Sequence, residues 1–213
     1  MNKLLLVVLL AIAIIAAYLL VGNQLLQKEM RYTQSQALDF ANQELAYRYP
    51  NASMEVFDIK NMSTVVGESW WLIRANVVYG KNTVCPNLTV VEVDQRFNFV
   101  PREKDIITEN CRVSGCRNVQ YCSINYAEEA ILIPLDPVRN PATSAMLSSF
   151  ISSSGGAGNV TTSAEPKGSF RGNTNITYSD VWVTRYSYPQ GNQTIEVILN
   201  KTSGLVIEDY ALS

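Results

Sequence analysis

Trp70-Trp-Leu-Ile-Arg-Ala-Asn-Val-Val-Tyr79 decides how the rest of this chain is read. Aromatic and β-branched residues crowd it, and such side chains suit a pleated, half-buried surface. Period-two alternation puts Trp71, Ile73, Ala75, Val77 and Tyr79 on one face. Gly80 and Lys81-Asn82 supply turn chemistry. Leu88 to Val100 then returns, Val91 and Val93 alternating against Glu92 and Asp94. Met54 to Ile59 alternates well enough to be an earlier strand, and Pro101 with Arg102-Glu-Lys-Asp105 closes the unit.

Upstream, Asn23 to Tyr49 holds neither Pro nor Gly and consists mostly of good helix formers. Ala37, Leu38, Phe40, Ala41 and Leu45 recur at three- and four-residue spacing, the signature of one apolar helix face. Thr33 with Gln36 fits a capping box that starts a fresh helix. The alternative is a single rod of about 70 Å continuing from the apolar N-terminal run through the weak joint at Gly22. Pro50 ends the helix in either case.

The second half repeats this order. Asn140-Pro141 reads as a cap with proline at the first helical position. Ala142, Ala145, Met146, Phe150 and Ile151 give an apolar face, and Gly155-Gly156 stops the helix. Strands are expected over Val160–Ala164, over Ile176–Tyr188 with Val181, Val183 and Arg185 opposite Trp182, Thr184 and Tyr186, over Thr194–Asn200 and over Leu205–Leu212. Helix 34–49 corresponds to 141–152, the Trp70–Tyr79 strand to Asp180–Tyr188, and 88–100 to 194–207. Val91, Val93, Asp94, Phe99 and Val100 fall on Val197, Leu199, Asn200, Leu205 and Val206 at one constant interval. The expected class is α+β: an N-terminal transmembrane helix, then helix-plus-antiparallel-sheet units arranged as a tandem repeat. The expected segments are an anchor over 1–22, a first unit over 23–110, a cysteine-containing connector over 111–139 and a second unit over 140–213.

Four cysteines, Cys85, Cys111, Cys116 and Cys122, allow three pairings. Pairing Cys85 with Cys111 and Cys116 with Cys122 is preferred, because it ties the hairpin loop to the connector. A closed loop of about 25 residues stabilises by roughly 3 kcal/mol in the chain-entropy model. A zinc site with four thiolates is the alternative, but the connector lacks the C-x2-C knuckle such sites use.

Leu4 to Val21 is uncharged, with Tyr18 its one polar side chain, and thirteen of its eighteen residues are Leu, Ile or Val. That composition favours insertion into lipid by roughly 4 to 8 kcal/mol. A cleaved signal is the alternative, but its best small-x-small site, Ala11-Ile-Ala13, lies in mid-run. Flanking charge scarcely orients the segment: Lys3 stands on one side, Lys28 and Arg31 on the other. Asn51, Asn61, Asn87, Asn159, Asn175, Asn192 and Asn200 each open an N-x-[ST] acceptor, where about two or three are expected by chance. Bare asparagines on a Thr-rich surface are the plainer alternative. All seven follow the apolar run, as do the cysteines, so residues 23–213 are expected outside a cell membrane and the N-terminus inside.

The chain has no histidine, a net charge of −2 and no Lys/Arg cluster. The commonest general base and metal ligand are therefore missing, as is the footprint of a nucleic-acid binder. Ser152-Ser-Ser154 has no base nearby in sequence. Glu128 and Glu129 are adjacent, diverge by about 100° on a helix and read as solvated surface. Asp136 and Asp209 stand alone, and no Ca²⁺ or phosphate-binding motif occurs. No catalytic, cofactor or metal residue is assigned. Trp70, Trp71, Trp182, Tyr186 and Tyr188 are either a ligand-binding face or core.

Ile195-Glu-Val-Ile-Leu-Asn-Lys-Thr-Ser-Gly-Leu-Val206, a strand, a glycine turn and a strand, resembles the ending of PepSY and cystatin-like domains. The cysteine connector and the sequons depart from that pattern. The resemblance implies an extracytoplasmic binding or peptidase-modulating module without a catalytic motif. The expected function is a membrane-anchored glycoprotein held in lipid by residues 4–21 that binds a protein partner or joins an envelope complex. A pilin-type filament subunit is the second reading, against which Met1-Asn-Lys3 runs straight into leucines without a leader glycine. An extracytoplasmic hydrolase is the third.

Overall fold

The computed structural model describes residues 32–65, 68–117 and 119–212. Their class is α+β, with three α-helices and three antiparallel sheets. In chain order they are α1 (Gln34–Arg48), β1 (Ser53–Ser63), β2 (Ser69–Tyr79), β3 (Asn87–Asp94), β4 (Pro101–Ile106), β5 (Thr108–Glu109), β6 (Arg112–Val113), α2 (Ala127–Leu132), α3 (Pro141–Ser153), β7 (Thr161–Arg171), β8 (Thr177–Tyr188), β9 (Gln193–Asn200) and β10 (Val206–Leu212). One sheet has the order β1-β2-β3-β4, the second β10-β9-β8-β7, and β5 pairs β6. No helix among the described residues is long and apolar enough to cross a membrane, and the Leu4–Val21 run lies outside those residues.

Two compact units divide the chain. The first holds α1, Val56–Arg74 and Glu92–Pro101. Its helix starts at the capping box: Thr33 N–H donates to Gln36 Oε1 at 3.0 Å, and Gln36 N–H donates to Thr33 Oγ1 at 3.3 Å. Tyr32 and Thr33 are not helical, so α1 begins afresh at Gln34, and the part of the expected helix over 23–31 lies outside the described residues. Ala37, Ala41 and Leu45 are buried, whereas Phe40 is half-exposed at the edge of a ring cluster with Tyr32 and Phe99. Trp71 Nε1 donates to Tyr32 O at 3.0 Å. The Arg96 guanidinium lies 3.7 Å above the Trp70 ring and pairs with Asp94 at 2.9 Å.

The return strand expected over Leu88–Val100 breaks earlier. Asp94 caps a 3-10 turn at Gln95–Phe97, and Asn98 and Phe99 take left-handed backbone. Pro101 and the charges after it then form the strand β4 instead of a terminating loop. A border strand facing solvent accommodates both the missing N–H and the charges that follow.

The second unit comprises Tyr49–Glu55, Ala75–Val91 and Arg102 onward. Its largest core lies on one face of the β7–β10 sheet: Trp182 and Tyr186 of β8 and Ile195, Val197 and Leu199 of β9 pack with Leu147 and Phe150 of α3 and with α2. The helical face expected on α3 is rotated. Ala142 and Ala145 are exposed, and Leu147, Thr143 and Ser144 are buried in their place. Thr143 Oγ1 donates to Asp209 at 2.5 Å and Ser144 Oγ to Leu135 O at 2.9 Å, so the polar residues turn inward with partners.

The opposite sheet face buries Val181, Val183 and Ile198 with Phe170, Tyr178 and Tyr210 packed against them. Glu196 stands there only 3% exposed. Arg185 Nε donates to it at 2.7 Å from β8, and the Tyr210 hydroxyl donates to it from β10. Burial, reinforced by the hydrogen bond to Glu196, holds the Tyr210 phenol well above its ordinary pKa.

The connector is fixed by side chains of β8. Trp182 Nε1 donates to Ile124 O at 3.1 Å, Thr184 Oγ1 to Ala130 O at 3.2 Å, and the Tyr186 hydroxyl to Ile131 O at 2.5 Å. Tyr186→Phe keeps the ring and orphans a buried carbonyl, so it should cost about 1–3 kcal/mol. Urea unfolding followed by Trp fluorescence reads this. An unchanged midpoint would show that the Tyr186 hydroxyl does not hold the connector.

Candidate functional site

All four sulfurs are used in disulfides, Cys85–Cys111 and Cys116–Cys122, the pairing that ties the hairpin loop to the connector, so no thiolate remains for zinc. The first bridge ties the β2–β3 loop to the β5–β6 turn. Thr108 Oγ1 backs it, donating to Pro86 O at 2.8 Å and accepting from Leu88 N at 2.7 Å. The second joins cysteines six positions apart and closes a short loop. Arg139 braces that loop from within: its guanidinium donates to Gln120 O and Val119 O at 2.8 Å each and to Cys116 O at 3.1 Å.

Downstream of the loop, backbone pairs with backbone. Cys122 N donates to Ser203 O at 3.0 Å and Ile124 N to Lys201 O at 2.8 Å, on the turn between β9 and β10. Asn200 Oδ1 shapes that turn by accepting from Thr202 N and Ser203 N. Gly204 sits at φ +69°, where an added Cβ would meet Cys122 O at 2.8 Å. Both the left-handed backbone and the close approach require glycine.

These staples leave a groove of 870 Å³ within the second unit. Its floor is apolar, made by Val113, Leu132 and Ile133, all buried. Val119, Leu205 and Val138 line it with exposed apolar surface, Val138 being 91% exposed. Arg112 and Arg117 line it and are exposed, while the single carboxylate of the lining, Asp136, accepts from Val138 N at 2.9 Å in a local turn. An apolar cleft bordered by guanidinium groups suits an apolar side chain flanked by carboxylates, since Arg pairs with carboxylates in a fork geometry. Nothing in it resembles a nucleophile beside a base.

The remaining candidate residues are dispersed. Ser153 and Ser154 hydroxyls both donate to Phe150 O and finish α3. Glu128 borders a smaller cavity of 230 Å³ with Asn76 and Lys81. Glu129 corrects the expectation of a solvated pair. It is buried at the start of α2, accepting from Asn125 N at 2.6 Å and Tyr126 N at 3.0 Å. Desolvation raises its pKa, and the two backbone donors partly offset this. Asp209 is engaged by Thr143, as above. Trp182 and Tyr186 are core, Trp70 lies buried under Arg96, and Tyr188 is half-buried.

Of the sequon asparagines, Asn51, Asn61, Asn87, Asn159, Asn175 and Asn192 are exposed. Asn159 Nδ2 donates to Ser154 O, and Asn200 is half-buried in its turn. Sequence reading did not single out Arg112, Arg117 or Arg139. Their convergence depends on two disulfides and a distant loop, and no local pattern marks it. No family model, curated protein or solved structure matches the chain.

Arg139→Lys keeps the charge but cannot fork to three carbonyls, so it should lower stability by about 1–2 kcal/mol. Amide exchange in residues 116–122 should quicken in step. Unchanged exchange in that loop would remove Arg139 as its brace.

Proposed function

We propose that the chain is a membrane-anchored, extracytoplasmic binding protein whose Arg-bordered groove holds an acidic, apolar-tipped segment of a protein partner. The observation that carries the reading is the groove: an apolar floor and two exposed arginines, Arg112 beside the Cys85–Cys111 bridge and Arg117 inside the loop closed by Cys116–Cys122. A rigid loop loses little conformational freedom when a partner docks, which is what a binding surface needs. Two disulfides suit an oxidising compartment. The uncharged Leu4–Val21 run would hold the body at a membrane, and six exposed sequon asparagines suit a glycosylated surface.

The PepSY or cystatin-like kinship and the tandem repeat belong to the same proposal. Each four-stranded sheet follows a helix, with α1 before β1–β4 and α3 before β7–β10. Corresponding strands agree in length, at 11 and 11, 11 and 12, 8 and 8, and 6 and 7 residues. The constant interval found in the sequence lays β3 on β9 residue for residue. Duplication of one helix-and-sheet unit accounts for all three facts.

A photo-crosslinking residue at position 138 in intact cells tests the binding site, with Tyr47, 82% exposed on α1, as the control position. A discrete protein adduct should form from position 138 alone. It should vanish in the Arg112→Glu/Arg117→Glu variant, because reversed charge repels an acidic segment. Equal adducts from both positions, or an adduct indifferent to the arginines, would refute the site.

A further inference from the structure

Four strands border the two large sheets, and three of them carry features that discourage further pairing. β4 runs through four consecutive charges, Arg102 to Asp105. β7 has Pro166 in its middle, between Glu165 and Lys167. In β10 the register shifts between Val206 and Glu208. Such charges, prolines and bulges are the usual means of protecting a sheet edge. β1 lacks them. It is eleven residues long, contains neither Pro nor Gly, and has no buried residue. Phe57 is 49% exposed on it, and Met54 and Met62 are partly exposed as well.

We infer that β1 pairs with β1 of a second copy, antiparallel and centred on Ile59, to give a two-fold dimer. The charges select both the partner and the register. Centred on Ile59, Asp58 of each copy lies opposite Lys60 of the other, Val56 opposite Met62, and Ile59 opposite itself. A shift of the centre by one residue sets Asp58 against Asp58 or Lys60 against Lys60, and like charges directly opposite are destabilising. Within one chain, Asp58 Oδ2 already lies 2.8 Å from Lys60 Nζ and 3.9 Å from Arg74 Nη1, so in the dimer each Asp58 would gain the partner copy's Lys60 beside these two cations. Neighbouring side chains of a strand stand normal to the sheet, so a glycan on Asn61 leaves the row of backbone groups free. The inference rests on neither the groove nor the membrane anchor.

The full-length chain in detergent micelles, analysed by sedimentation, should be a dimer. Asp58→Lys and Lys60→Asp should each weaken association about tenfold, since two attractive pairs become repulsive. The double variant Asp58→Lys/Lys60→Asp restores complementarity and should recover wild-type association within about threefold. Thermal unfolding of each variant separates loss of pairing from loss of fold. Oxidation of Ile59→Cys should give a covalent dimer, because directly opposed Cα atoms lie about 4.5–5.5 Å apart, within disulfide reach. Val65→Cys is more exposed but lies far from the two-fold axis, and should not crosslink. A monomeric wild type, a double variant as weak as the single ones, or equal crosslinking at 59 and 65 would overturn the inference.

Discussion

A chain segment without a sheet partner must find donors for every carbonyl it buries. Residues 124–131 are such a segment, and three side chains on one face of β8 supply the donors. Trp182, Thr184 and Tyr186 combine an apolar body facing the core with a polar tip that reaches across it. Left unpaired, each carbonyl would cost about 1–3 kcal/mol, so the contacts specify where the connector lies as well as stabilising it. Everything later in the connector inherits that position. Leu132 and Ile133 become a groove floor because Ala130 and Ile131 are pinned immediately before them. Asn140 fixes the other end, donating to Ile133 O at 3.0 Å and accepting from Val206 N at 3.1 Å.

Within the β7–β10 sheet, the central strand β9 is buried on both faces, which explains its composition. Ile195 to Leu199 is a nearly continuous apolar run, as expected for a doubly buried strand, interrupted by one carboxylate. Glu196 is tolerated because Arg185 and Tyr210 meet it from the strands on either side. Removing either partner would leave a buried charge short of donors, so this cross-strand set fixes register more than it adds stability. Register matters here because a one-residue slip of β8 would turn Trp182, Thr184 and Tyr186 away from the connector.

Much of this was legible in the sequence. β2, β8 and β9 announced themselves through aromatic and β-branched alternation, and α1 through the Thr33–Gln36 box. What escaped depended on contacts distant in the chain. α2 is only six residues long, too short for a periodic signal, and the carboxylate that caps it looked like half of a solvated pair. β4 begins with proline and continues with charges, a pattern that reads as a terminator until the strand is known to border its sheet. In α3, Ala142 and Ala145 resembled an apolar stripe, but the true inward face contains Thr143 and Ser144, whose partners lie on β10 and before α3. The groove was illegible for the same reason: Arg112, Arg117 and Arg139 line one cleft in the fold while lying apart in the chain.

The central claim is that a doubly stapled body presents its groove on the oxidising side of a membrane. Alkylation of intact cells with a membrane-permeant reagent, followed by non-reducing peptide mapping of the membrane fraction, tests it most directly. The account predicts Cys85–Cys111 and Cys116–Cys122 peptides linked, with no alkylated cysteine, and sequon peptides carrying hexose mass. Four alkylated thiols on a chain with unmodified asparagines would contradict it.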